Sequence, residues 1–307
     1  MPDPAPLLAE MAALVEAHGD ALRAPVRAFD IGGVPFDADR RPGIMGVVNL
    51  SRDSWYRESV SPSTDAAIAR GRVLAAEGAT IIDIGAESTI PGAKRVSPEQ
   101  QLAGVLPVIA ALREDGIISS VETYAPEVAR VALSSGAGVL NLTGVEREDE
   151  MYEAAAEHDA AVIMCFVQGA NVREVQDLVL ADDPIPGLVD HFGPRLERAQ
   201  QLGVQRLFVD PGLGFYYGNL LDGEARVRHQ AKVFLNTFRL RVLGWPVCHA
   251  LPHAFDFFRE EVRTAEPFFA VLAAMGRTGL FRTHEVPRVR AVLDTLHAIE
   301  AGGITGS

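Results

Sequence analysis

Cysteine is scarce in this 307-residue chain, which holds only Cys165 and Cys248. Two thiols cannot build a disulfide framework, and both lie in apolar runs. They read as reduced core residues of a cytoplasmic protein. Basic charge is scarce as well: Lys and Arg total 28 against 41 Asp and Glu, a formal net charge of −13. That balance excludes a general nucleic-acid binder, because neutralising phosphates takes a basic surface. An anionic ligand would need a local cationic pocket set against the overall field. No apolar run reaches the roughly 18 residues of a membrane span, so no membrane partner is expected. The N-terminus carries acids rather than a basic segment leading into an apolar one, and no secretory leader is expected either. Short repeats, linkers and low-complexity tracts are also missing.

What remains is ordinary globular composition, 48% hydrophobic and 22% charged, at a length suited to one large α/β domain or two smaller ones. Leu7, Leu8, Met11, Leu14 and Val15 fall at helical spacing, and residues 1–26 read as a helical extension. The stretch "RAFDIGGVPF" (27–36) sets a Gly-Gly pair between two short alternating runs, a hairpin signal. Strand-like apolar runs then occur at 44–48, 79–84, 117–121, 138–142, 161–166, 206–210, 246–251 and 279–283. Amphipathic stretches rich in Ala, Arg and Glu lie between them, at 64–77, 98–114, 126–136, 148–158, 184–202, about 221–243, 264–276 and 286–300. Uninterrupted apolar strands alternating with helices imply a parallel sheet covered by helices. Eight such units predict an α/β fold of the (β/α)8 TIM-barrel type over 27–307, with the hairpin closing the bottom of the barrel.

In such a barrel, functional residues stand where strands run into the following loops. Those points carry Asn49, then Asp83, Glu87, Ser88 and Thr89, then Glu122, then Asn141 and Thr143. Cys165 and Gln168, Asp210, His249 and His253, and finally Arg282 and His284 complete the circuit. Polar residues at nearly every strand end are expected to converge on one mouth.

Several segments read together resemble the dihydropteroate synthase family. "IMGVVNLSRDSW" resembles that family's first-strand motif, an Asn followed by Thr-Pro-Asp-Ser-Phe, and "GATIIDIGAESTIPGA" matches its second motif nearly residue for residue. "VETYAPEVARVALSSGAGVLN" is similar to the third and fourth strands, "LFVDPGLGF" to the sixth, and "FRTHEV" to the closing Arg-Val-His-Asp. The resemblance implies an enzyme that binds a dihydropterin methyl pyrophosphate in the barrel. With diphosphate-bound Mg²⁺, pyrophosphate departs and an aryl amine such as p-aminobenzoate captures the methylene carbon. It further implies that Asn49 organises metal and diphosphate, with Ser88, Thr89, Arg282 and His284 at the anion end. Asp210 and Asn141 face the pterin ring, Glu122 stands where the family has Asp, and Asp83 orients its neighbours. Phe215 and Trp55 match aromatic positions of the aryl-amine pocket. The family also often forms homodimers through its last helices, and Val289, Val292, Leu293, Leu296 and Ile299 give the last helix here an apolar face.

The departures are localised. Where the family reads Gly-Phe-Gly-Lys, this chain has Gly214-Phe215-Tyr216-Tyr217. Where the family carries Ser-Arg-Lys, "HALPHAFDFF" places His253 and Ala254 at the approximate positions of the Arg and Lys. Leu142 replaces an Asp, Ile90 an Arg, and Arg52 stands where Pro is usual. Relative to the family pattern, two lysines and an arginine are lost near the substrate and Arg52 is gained. Such cations are not interchangeable with Tyr, His or Ala at an anionic site. Three readings follow: a synthase-type condensation, a divergent paralogue with another amine or a one-carbon transfer, or a non-catalytic pterin-binding subunit.

Overall fold

The computed structural model describes residues 5–51, 60–90, 93–215 and 217–303. Two helices, α1 (Ala5–Ala17) and α2 (Gly19–Arg23), precede a hairpin of β1 (Phe29–Ile31) and β2 (Val34–Phe36). The units that follow are β3 (Gly43–Asn49) and α3 (Thr64–Ala76), β4 (Ile81–Gly85) and α4 (Pro98–Glu114), and β5 (Ile118–Thr123) and α5 (Pro126–Ser134). Next come β6 (Val139–Leu142) and α6 (Glu148–Glu157), β7 (Ala161–Cys165) and α7 (Ile185–Gln201), and β8 (Leu207–Asp210) and α8 (Gly223–Asn236). The last two units are β9 (Cys248–Ala250) with α9 (Phe255–Phe258) and α10 (Ala265–Met275), and β10 (Leu280–Thr283) with α11 (Val286–Gly302).

Strands β3 to β10 form one parallel sheet in the order β8-β7-β6-β5-β4-β3-β10-β9. Val209 of β8 bridges to Val247, just before β9, and its N–H donates to the Pro246 carbonyl at 3.2 Å. The sheet therefore closes, and the expected (β/α)8 barrel is the observed fold. Side chains alternate along each strand. Ile44, Val48, Ile82, Ile84, Val162 and Val209 face outward into the helix layer. Met45, Ile81, Val139, Ala161, Phe208 and Leu280 fill the lower interior.

The hairpin plugs that interior from below. Ile31 and Phe36 are buried and join the same cluster. Phe29 and Phe36 both meet the Phe208 ring edge-on, with centroids 5.2 and 6.1 Å away. The turn requires glycine: Gly32 and Gly33 have φ of +56° and +82°, the left-handed geometry of a tight hairpin turn that penalises any Cβ.

Local signals fix where the mouth loops end. Side-chain oxygens of Ser63, Ser97 and Asp222 cap α3, α4 and α8, with a full capping box at Ser97 and Gln100. The long helix expected over about 221–243 is instead split at Thr237, where α8 passes into a 3₁₀ segment (Thr237–Leu243). Thr237 Oγ1 donates to the Val233 carbonyl, the local competition that weakens a helix end. No residue of α1 is buried, and Leu7, Leu8 and Val15 are exposed. The helical spacing at 5–17 is real, with Met11 and Leu14 half-buried, but it places no residue in the core. On α11, Val289 is buried while Val292 and Leu293 rest on the core and Ile299 is exposed. Among the described residues, no helix is long and apolar enough to cross a membrane.

Candidate active site

At the carboxyl ends of the strands the barrel interior turns polar. Asp83, fully buried on β4, accepts hydrogen bonds from Ser120 Oγ (2.7 Å), Asn141 Nδ2 (3.1 Å) and Arg282 Nε (2.8 Å). The guanidinium of Arg282 also donates through Nη2 to Glu122. Cys165 Sγ donates to Asn141 Oδ1 at 3.4 Å, and Asp210 Oδ1 accepts from the Gly212 N–H at 2.8 Å. Gly212 has φ +75°, and a Cβ there would stand 2.3 Å from the Phe166 carbonyl, so this close turn also demands glycine.

Two carboxylates thus hold one guanidinium, with Asp210 feeling its charge, and their proton affinities follow. Burial pushes Asp210 up to about 6, against the pull of the Gly212 N–H and Arg282. Burial likewise raises Glu122, opposed by Arg282 and reinforced by Asp83 and Asp210. Burial works against the charge of Arg282, but Glu122 and Asp83 hold it firmly protonated. The Cys165 and Cys248 thiols are driven well above their usual range by burial, as inert core thiols are.

Above this floor lies a cavity lined by Asn49, Ser51, Ser88, Thr89, Phe215, His253, His284 and the outer face of Arg282. The two histidines share a carboxylate. Glu266, fully buried in the first turn of α10, stands 2.7 Å from His284 Nδ1 and 3.2 Å from His253 Nε2 through one oxygen. Its other oxygen accepts from Thr283 Oγ1, the His284 N–H (2.9 Å) and the Glu285 N–H (3.2 Å). Burial opposes its ionisation, yet His284 and His253 hold the Glu266 carboxyl well below the usual range. His284 is itself lowered, chiefly by burial, with Glu266 acting against the shift.

The second βα loop is anchored from the other side. Arg173, on the loop after β7, donates to the carbonyls of Ser88 (2.7 Å), Ile90 and Ala93. Glu87 accepts from the Val96 N–H at 2.9 Å and from the Tyr124 hydroxyl. Ser88 and Thr89 are thereby presented to the cavity by a loop with fixed ends.

The structure brings together Asn49, Asp83, Ser88, Thr89, Glu122, Asn141, Asp210, Phe215, His253, Arg282 and His284 at one end of the barrel. Arg52 and Trp55 lie outside the described residues, as does Tyr216. His249 is a correction to the expected convergence. Its ring faces outward, 2.8 Å from Thr237 Oγ1 and edge-on to Phe234, because strand alternation turns Cys248 inward. Gln168 lines a neighbouring apolar cavity on the far side of Phe215, together with Leu178, Leu188, Leu220 and Val233. Three residues of the site had escaped the sequence reading: Arg226, which lines the mouth from α8, Arg173 and Glu266. Only Glu266 leaves a trace in the sequence, as a lone acid opening the apolar stretch "AEPFFAVLAAM". The chain has two lysines, Lys94 and Lys232, and neither lines this cavity. Lys232 instead donates to the Asp182 carbonyl on the outside of the barrel.

A floor of carboxylates and an amide under one arginine, with hydroxyls, Asn49 and histidines at the rim, suits a flat hydrogen-bonding ring carrying an anionic group. The class is that of pterin-binding barrel enzymes, and residues 45–251 match the pterin binding enzyme family. The chain is 35% identical over 189 residues to a dihydropteroate synthase of Synechocystis sp., covering 60% of this chain and 65% of that protein. It is 33% identical over 278 residues to a probable bifunctional folylpolyglutamate synthase/dihydropteroate synthase of Halobacterium salinarum. That match covers 88% of this chain and a third (33%) of the longer relative. The crystal structure of Xanthomonas albilineans dihydropteroate synthase with 4-aminobenzoic acid superposes with a TM-score of 0.74 at 31% identity, covering 89% of this chain and 98% of that one. The protein belongs to the dihydropteroate synthase family of pterin-binding transferases.

Proposed function

We propose that the mouth binds a dihydropterin methyl diphosphate and joins its methylene carbon to the nitrogen of an aryl amine such as p-aminobenzoate. The C–O bond to diphosphate breaks, the C–N bond forms and the amine gives up a proton. The observation that carries this reading is the stacking of two chemistries in one barrel end: Asp210, Asn141, Asp83 and Glu122 below, Asn49, Ser88, Thr89 and His284 above, with Arg282 between them. Asp210 and Asn141 offer the acceptors and donor that a pterin edge needs. Arg282 and His284 offer donors to the departing anion. Phe215, between the two cavities, supplies an aromatic wall for the amine. A diphosphate-bound Mg²⁺ fits the oxygen donors of Asn49, Ser51 and Ser88, and when bound it neutralises charge on the leaving group.

A second reading is favoured by one observation, the lack of lysine among the described cavity residues. In that reading the chain is a divergent paralogue that captures another amine, or carries a one-carbon unit on the pterin. Purified protein supplied with dihydropterin methyl diphosphate and Mg²⁺, with and without p-aminobenzoate, separates the two. Diphosphate release that depends on p-aminobenzoate supports the condensation, and release only with other acceptors supports the paralogue. Pterin binding without any release marks a non-catalytic binding subunit, and no pterin binding overturns all three. The same proposal takes residues 1–26 as an extension of the barrel at 27–307, and the chain as a cytoplasmic homodimer through its last helices. Sedimentation velocity reads that oligomeric state directly.

A further inference from the structure

Glu266 and Asp210 are the buried acids with no guanidinium ion pair among the described residues, and of the two only Glu266 is met by imidazoles. Arg282 holds Asp83 and Glu122, and Arg263 holds Glu285 at 2.7 and 3.1 Å. The neighbours of Glu266 Oε1 are imidazole nitrogens, one from the loop after β9 and one from the end of β10. One ligand atom from each of His253, Glu266 and His284 lies within 4.8 Å of the others. The imidazole rings are 5.0 Å apart, tilted 44° to each other.

We propose that His253, Glu266 and His284 form a binding site for a first-row divalent transition-metal ion of the Zn²⁺ or Co²⁺ kind. Two imidazole nitrogens and one carboxylate oxygen are the donor set of three-ligand zinc centres, which leave a fourth position open. Here the open side is the cavity, since both histidines line it. Borderline nitrogen donors select this class of ion over Mg²⁺ or Ca²⁺, which prefer all-oxygen sites. The surroundings supply the orientation such a site needs. Glu266 Oε2 is fixed by Thr283, His284 and Glu285, so Oε1 points at the imidazoles and has little freedom to turn away. Three separate elements deliver the ligands: the loop after β9, the first turn of α10 and the end of β10. A divalent ion there would neutralise the charge of the buried carboxylate. It would also place positive charge at the rim where lysine is missing. The site stands on its own geometry and does not depend on the reaction proposed above.

The test is metal uptake without substrate. Protein bearing no polyhistidine tag is dialysed against EDTA and titrated with Co²⁺ near neutral pH. The expected result is an intense visible absorption that saturates at one Co²⁺ per chain and is bleached by Zn²⁺. A modest excess of Mg²⁺ should leave it unchanged. In His253→Asn and Glu266→Gln the affinity should fall by at least about tenfold, with circular dichroism confirming the fold. His253→Asn alters a half-buried loop side chain and keeps the test decisive if Glu266→Gln does not fold. No saturable uptake, uptake unchanged in the folded variants, or displacement by Mg²⁺ would each overturn the site.

Discussion

Arg282 Nε and Asp83 Oδ2 meet at 2.8 Å on the floor of the mouth, with Asp83 fully buried. Because Asp83 also receives Ser120 and Asn141, and Arg282 reaches Glu122, this contact joins β4, β5, β6 and β10 through five side chains. Breaking a buried ion pair from one side leaves an uncompensated charge, at a cost of about 3–5 kcal/mol. Arg282→Ala should lose stability of that order in urea denaturation and lose pterin affinity with it. Arg282→Lys keeps the charge but not the planar fork, and should recover stability better than affinity.

Asp210 sets a pH dependence with a definite sign. Its carboxyl binds a proton more tightly folded, at about 6, than its ordinary value of 3.8. The stability it contributes is therefore complete below about pH 4 and lost as pH rises through 6, on the order of 3 kcal/mol. Glu266 works in the opposite sense: its carboxyl is lowered, so its contribution holds at neutral pH and is lost as the solution is acidified. Denaturation curves across pH should lose the slope between about 4 and 6 in Asp210→Asn, and part of the acid limb in Glu266→Gln. With Asp210 in its proposed role as acceptor for ring N–H groups, pterin affinity should climb with pH up to about 6 and then level off.

Arg173 ties the loop of Ser88 and Thr89 to the loop after β7 through three carbonyls. Removing charge-assisted bonds of this kind costs about 1.5–3 kcal/mol. The guanidinium orders a mouth loop rather than the core, so Arg173→Ala should show its effect mainly in ligand binding. The expected outcome is a KM for the second substrate raised about tenfold or more, with a small change in Tm. A large fall in Tm at unchanged KM would assign Arg173 to the scaffold alone.

Phe36 makes the complementary prediction. It is buried against Phe208 and Gly43 at the barrel foot, away from the mouth. Phe36→Ala should cost about 3–5 kcal/mol of unfolding free energy, measured by urea denaturation, while pterin affinity in the folded fraction stays the same.

The eight strands were legible because each is a short apolar run fenced by helical stretches, and periodicity of that kind is local. The hairpin plug was legible for the same reason, since Gly32 and Gly33 announce their own turn. The break at Thr237 was not, because it depends on a side chain reaching back one helical turn. Strand alternation, applied residue by residue, would have turned His249 outward; grouping it with His253 hid that. Glu266 was beyond reach: its partners lie 13 and 18 residues away in sequence on different elements, and only folding shows that His253 and His284 meet it. Family motifs supplied Asn49, Asp210 and Arg282, but they say nothing about residues the motifs do not contain.

The hairpin has a practical corollary. It enters at the foot of the barrel, while α11 starts beside the mouth at Val286 and runs back down, so that Asp294 comes within 3.7 Å of Arg41 just ahead of β3. The barrel proper thus begins and finishes on the face opposite its opening. Tethering the protein to a sensor chip or bead through the end of α11 would leave the mouth turned toward the solution, a convenient geometry for measuring how ligands and metal ions enter it.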